Sequence, residues 1–217
     1  MLRLRITRLR LTAGILVGSL SCAGAGYAAS LGLGSNSLHA WTQTLTKTTC
    51  NQTSTTDDDT YVQQALPTST TGGTAQTLTI SPVAAAQDYA FIRFNLSGCN
   101  LPTTGGADGA VLTVRVTTAG NDTISLFPVT SSWSSSTLTW NGVSGLTIGP
   151  TATGTFSAST TGNKTVTVTA DVDAGIKAGN LWGWELRATS GTAIVAIGAA
   201  ENSTSTNRPS MTLSDEK

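Results

Sequence analysis

The side chains able to do covalent chemistry are few and badly placed for it. A serine triad needs a His base beside its nucleophile, and the only histidine, His39, lies in a Ser/Thr/Gly-rich stretch near the N-terminus, with no G-x-S-x-G anywhere. H-E-x-x-H is absent, and Cys22, Cys50 and Cys99 are not grouped as zinc ligands would be. Glycoside hydrolysis needs two carboxyl groups flanking one bond. Asp88, Asp171, Glu185 and Glu201 are available, but no spacing recommends a pair. The chain is therefore not expected to be an enzyme. Two other chemistries have candidates. Asp57-Asp58-Asp59 offers oxygen to a hard cation such as calcium, against the plainer reading of a solvated acidic loop. Aromatic rings can stack on sugars, and WSSSTLTW, residues 133–140, sets Trp133 and Trp140 seven positions apart across a Ser/Thr run.

Seven is odd, so in one unbroken strand the two rings would face opposite ways. The SSS run predicts a turn between them, and both are expected to anchor a core or sheet corner rather than form a sugar platform. Trp182, Trp184 and Leu186 fall on one face of LWGWELRA, with Glu185 and Arg187 on the other, a pattern of apolar-in and polar-out. Trp41 has Thr, Gln and His around it and is the candidate for an exposed ring.

The elements that must position these residues are strands. Charged residues make up only 11 % of the 217 positions, while Thr alternates with Val, Ile and Leu, as suits a pleated, half-buried surface. Period-two runs recur. Ile92, Phe94 and Leu96 oppose Phe91, Arg93 and Asn95; Leu112, Val114 and Val116 oppose Thr113, Arg115 and Thr117. About nine to ten short strands separated by Gly, Pro, Asn and Asp predict an all-β antiparallel sandwich. DVDAGIKAG, 171–179, is the one helical turn expected.

The start of the chain reads differently. Arg3, Arg5, Arg8 and Arg10 precede an apolar run from Leu11 to Leu20, and Gly26-Tyr27-Ala28 offers a small-x-small site. Those are the parts of a secretory signal peptide over residues 1–28; a lipoprotein reading through Cys22 lacks the apolar residue three places before it. Residues 29–56 form a Ser/Thr/Gly-rich lead-in, which either adds an edge strand or serves as a tether, and 57–217 the sandwich domain. Without its four leader arginines the chain holds 8 basic and 12 acidic residues, a net charge of −4, which excludes a basic nucleic-acid footprint. No second apolar span follows, so no membrane contact is expected after the leader is removed. Cys50 and Cys99 then remain in an oxidising compartment, and one disulfide is the natural reading; two unpaired thiols are the alternative. Closing a loop of roughly 50 residues is worth about 4 kcal/mol.

Several motifs, in order, carry a resemblance. Asp59-Thr60-Tyr61-Val62 is similar to a D-T-Y-V opening. Phe91-Ile92-Arg93-Phe94-Asn95-Leu96-Ser97 resembles an L-R-F-D-L-S strand. Trp133 through Thr139-Trp140-Asn141 resembles W-x-E-x-x-x-T-W-N. Asp171-Val172 matches the start of a D-V-T turn, and Glu201 with Arg208-Pro209-Ser210-Met211-Thr212-Leu213 resembles a closing S-x-E and R-P-x-L strand. Across residues 59 to 213 the chain resembles the DNRLRE, or disaggregatase-related, domain and the overlapping carbohydrate-binding module family 96. It departs where Asn95 replaces Asp and where Ser135 or Ser136 replaces the Glu between the tryptophans.

The resemblance implies a jelly-roll-like sandwich of secreted and surface proteins, with polysaccharide or cell-wall glycan as partner. Trp41, Trp133 and Trp140 are the candidate sugar contacts. Asp59, in a family position, is the candidate calcium ligand; no other cofactor is implied. Arg93 and Glu201, both within family motifs, are expected to form a cross-strand ion pair, or else to stand as two solvated charges. The functional expectation is a secreted, non-catalytic carbohydrate-binding module; the alternative is a structural or adhesive cell-surface protein with no sugar site. The oligomeric state is left open. Intact mass of protein recovered from the culture medium tests the leader and the disulfide together. A chain beginning near Ala29 and lacking two thiol hydrogens is expected. An intact Met1, or two thiols that accept an alkylating tag without reduction, would contradict it.

Overall fold

The computed structural model describes residues 45–51, 58–96, 107–179 and 181–216. Among them, eleven strands form two antiparallel sheets. In the six-stranded sheet, β5 (Gly109–Thr118) is the spine. One of its edges pairs with β11 (Ser210–Glu216) along its first half and with β10 (Val195–Gly198) along its second. Its other edge pairs with β8 (Gly162–Thr167). Beyond them lie β1 (Leu45–Asn51), paired with β11, and β3 (Thr77–Ile80), paired with β10. The five-stranded sheet runs β2 (Asp58–Gln63), β4 (Asp88–Arg93), β9 (Trp184–Ser190), β6 (Thr123–Pro128), β7 (Gly154–Ser157). Two α-helical segments lie among the described residues: a single turn, α1 (Trp140–Val143), and α2 (Thr169–Ala178). No helix among the described residues is long and apolar enough to cross a membrane.

The sandwich follows from the alternation. Along β5, Ala110, Leu112, Val114 and Val116 are buried, while Val111, Thr113, Arg115 and Thr117 turn outward. They meet Ala90, Ile92, Trp184, Leu186, Ile124 and Leu126 of the other sheet in one core. Each large aliphatic side chain fully buried there contributes about 1.5–3 kcal/mol. Helix α2, where the helical turn was expected, caps this core with Val172. Its Asp171 accepts from the buried Trp184 indole at 2.7 Å, and Thr153 donates to the same carboxylate. The strand beyond the nine or ten expected includes β1, which comes from the lead-in and follows β11 in register from Leu45↔Glu216 to Asn51↔Ser210.

One pattern expectation is corrected. Trp182, Trp184 and Leu186 do not share a face. Gly183 lies between the two tryptophans with φ +84°, and this left-handed residue breaks the period of two. Trp184 points into the main core, whereas Trp182 packs with a second apolar cluster outside the five-stranded sheet. Any Cβ at Gly183 would also strike the Ile92 carbonyl oxygen. Gly183→Ala is therefore expected to cost at least about 1–3 kcal/mol from backbone strain alone. Urea denaturation checks this, and an unchanged midpoint would contradict it.

Candidate functional site

The outer face of the five-stranded sheet is not left to solvent. Val62 on β2 and Phe91 on β4 point away from the main core, yet are 1 % and 0 % exposed. They are covered by the chain between β6 and β7, which folds back over them and brings Val129, Trp133 and Leu138 into one cluster. The excursion is closed at its base by backbone bonds from Thr130 to Thr147 (2.9 Å) and from Gly149 to Pro128 (2.8 Å).

WSSSTLTW lies on this excursion, and the turn expected within it is present. The amides of Thr137 and Leu138 both donate to the Ser134 carbonyl, and the Thr139 hydroxyl caps α1 by accepting from Gly142 N. The two rings have different surroundings. Trp133 is 7 % exposed. Its indole N–H donates to the Trp182 carbonyl at 2.6 Å, and its ring meets Phe91 edge-on at 5.7 Å. Trp140 is half-buried and leans on Tyr89, with centroids 4.8 Å apart and planes tilted by 40°.

The expected Arg93–Glu201 pair is corrected. Arg93 forms its ion pair with Asp58, which stands directly opposite it across β2 and β4. The guanidinium also lies 5.6 Å from the Trp133 ring and 5.0 Å from the Trp182 ring. Ser135, one of the two serines standing where the resembled pattern has Glu, donates to Asp58 at 2.9 Å. The acid facing Arg93 thus comes from β2. Glu201 belongs to the turn after β10. A cleft of about 400 Å3 opens beside this end, between Arg93, Asn95, Trp182 and the α2 residues Gly175 and Ile176.

Asp59, the candidate calcium ligand, is 1 % exposed and accepts from the Ala200 amide at 2.6 Å, tying β2 to the turn after β10. Among the described residues no group of three or more His, Cys, Asp or Glu side chains is placed to complete a metal cage. Trp41, Cys99 and the side chain of Cys50 lie outside the described residues.

Further along the same outer face stands a group the sequence reading did not single out. Arg187 on β9 lies with its guanidinium 4.1 Å from the Phe127 ring and 5.6 Å from the Tyr89 ring. Glu185, two residues before it, also faces outward but is 1 % exposed. Arg187 Nε approaches Glu185 Oε1 to 2.8 Å, in ionic contact but not aligned as a hydrogen bond. Burial holds the Glu185 carboxyl above its ordinary range, and the Arg187 charge only partly offsets this. Trp140, Tyr89, Arg187 and Phe127 form a row across the sheet, each partly exposed. The signal was present in the sequence: Tyr89 precedes Phe91 and Arg93 at the same parity, and Arg187 was already assigned to the outward face.

A sandwich whose outer face carries half-exposed aromatic rings and a stacked guanidinium is suited to a ligand with apolar faces and polar edges. A family model described as carbohydrate-binding module family 96 matches residues 50–215. The chain belongs to that family. Comparison with curated proteins gives no match. Membership in family 96 makes the chain a carbohydrate-binding module; the disaggregatase-related name is not part of that match. Within this family 96 module Trp133 is structurally committed, since its one donor is bonded to the Trp182 carbonyl and its ring is buried against Phe91 and Arg93. Trp133→Ala is expected to cost about 3–5 kcal/mol, as for other buried aromatic truncations, and to lower Tm accordingly. A thermal melt checks this; an unchanged Tm would contradict it.

Proposed function

We propose that the mature chain is exported and holds a polysaccharide or cell-wall glycan without cleaving it. Family membership over residues 50–215 is the observation that carries the glycan. The non-catalytic part is supported by where the acids sit. Glu185 is enclosed under Arg187, and Asp171 is occupied by Trp184 and Thr153. Asp88 is 6 % exposed, with its carboxyl held above the ordinary range by burial and drawn down by Gln63. Each serves the fold, and a glycosidase pair must instead face a common cleft. Export is supported by the Arg-rich start, the apolar run and the Gly26-Tyr27-Ala28 site. The alternative, a cell-surface scaffold with no sugar site, is favoured by the burial of Trp133 and Trp184 but gives no role to the partly exposed aromatic row.

The test is affinity electrophoresis of the mature chain through gels containing β-glucan, xylan, mannan, polygalacturonate or hyaluronan, with reducing ends measured in parallel. Retardation on at least one polysaccharide, with no new reducing ends, is expected. No retardation on any of them would favour the scaffold; new reducing ends would make the chain an enzyme.

A further inference from the structure

We propose that the sugar chain lies on the outer face of the five-stranded sheet, its rings on Trp140, Tyr89 and Phe127 and its oxygens held by Arg187. This rests on the carbohydrate-binding reading and adds the site to it. Tyr89, Arg187 and Phe127 stand on β4, β9 and β6, which are consecutive in the sheet. Phe127 is in register with Glu185 rather than Arg187, so the row runs obliquely across the strands. The Arg187 guanidinium lies 5.6 Å from the Tyr89 ring and 4.1 Å from the Phe127 ring, which holds the two rings within about 10 Å of each other, two strand spacings and the length of a disaccharide. Trp140, against Tyr89, extends the row by another ring.

A pyranose has an apolar C–H face bounded by equatorial oxygens. The face packs on an aromatic ring, and the oxygens need donors in the same plane. Arg187 supplies them. Its guanidinium lies 4.1 Å from the Phe127 ring, and a guanidinium fork directs its N–H groups outward in its own plane. The decisive second observation is Glu185. It is 1 % exposed, directly beneath the row, and its Oε1 has no hydrogen-bond partner although Arg187 Nε is 2.8 Å away. Arg187 Nε also has no hydrogen-bond partner. The carboxylate therefore fixes the guanidinium by charge without aligned hydrogen bonds between these two atoms. The neighbouring β6–β7 excursion covers Val62 and Phe91 and places Trp140 against Tyr89, while this row stays partly exposed. The ligand class is a pyranose chain with an oxygen acceptor beside its C–H face. A hydroxyl of a neutral glycan and the carboxylate of a uronate share that chemistry.

The test uses the mature chain and whichever of the five polysaccharides retards it. Tyr89→Ala and Phe127→Ala should each weaken retardation tenfold or more with Tm nearly unchanged, while Trp182→Ala, at the cleft end, should bind as wild type. Full retardation in both the Tyr89 and Phe127 variants, or its loss only in Trp182→Ala, would overturn the site while leaving the glycan reading intact. Should a variant fail to fold, titration of wild type with a hexasaccharide of the same polysaccharide decides. The NMR signals of the Trp140 indole and Arg187 Nε–H should shift and the buried Trp184 indole should not; shifts confined elsewhere would overturn the site. No retardation of wild type on any gel sinks the glycan reading itself. Arg187→Gln separates the two ligand sources. Its loss of affinity should vanish in high salt for a uronate and persist for a neutral glycan.

Discussion

One end of the outer face of the five-stranded sheet, where β2 and β4 carry Val62 and Phe91, is too apolar to meet water, and much of the molecule is arranged around that constraint. Phe91 and Val62 would expose large apolar area on the side opposite the main core. The chain between β6 and β7 folds back to cover them, and Trp133 holds it there. An indole has one donor, and leaving it unpaired in a buried site costs on the order of 1–3 kcal/mol; the Trp182 carbonyl accepts it at 2.6 Å. That carbonyl is presented where the chain turns at Gly183, whose positive φ also sends Trp184 to the opposite side, into the main core. One backbone irregularity thus serves both apolar clusters.

Covering the face needs no more charge than the strands supply. Arg93 meets Asp58 across β2 and β4 and lies near two tryptophan rings, so its charge is used inside the cover. Arg187 stands where the cover ends. Its acid, Glu185, lies below it, and its flank is a pair of rings that the excursion leaves partly open. The same kind of side chain is thus spent on structure at one end of the sheet and left facing outward at the other.

Much of this was legible in the sequence. The alternation of Leu112, Val114 and Val116 with Thr and Arg placed the inner and outer faces of β5 correctly, because the side-chain period of a strand is fixed by its pleat. The odd spacing of Trp133 and Trp140 and the serines between them signalled the turn. Pairing was less legible. Arg93 belongs to an ion pair, but its partner is the register neighbour Asp58, and register between strands about 30 residues apart depends on the turns joining them. Trp182 and Trp184 were set on one face because a single glycine in left-handed conformation leaves no mark on a hydrophobic pattern. The aromatic row was legible only in part: parity set Tyr89 and Arg187 on outward faces, but its members come from separate strands and one loop, and only the sheet order brings them together.

Exchange of the indole hydrogens with solvent, followed by NMR, tests most directly that Trp133 pins the cover while Trp140 belongs to the open surface. The Trp133 Nε1 hydrogen, bonded to the Trp182 carbonyl, should exchange only as slowly as that of Trp184, through opening of the structure. The Trp140 hydrogen should exchange far faster and slow down when polysaccharide is bound. A Trp133 hydrogen that exchanges as fast as that of Trp140, or slows only on binding polysaccharide, would contradict the anchor and make WSSSTLTW itself the binding surface.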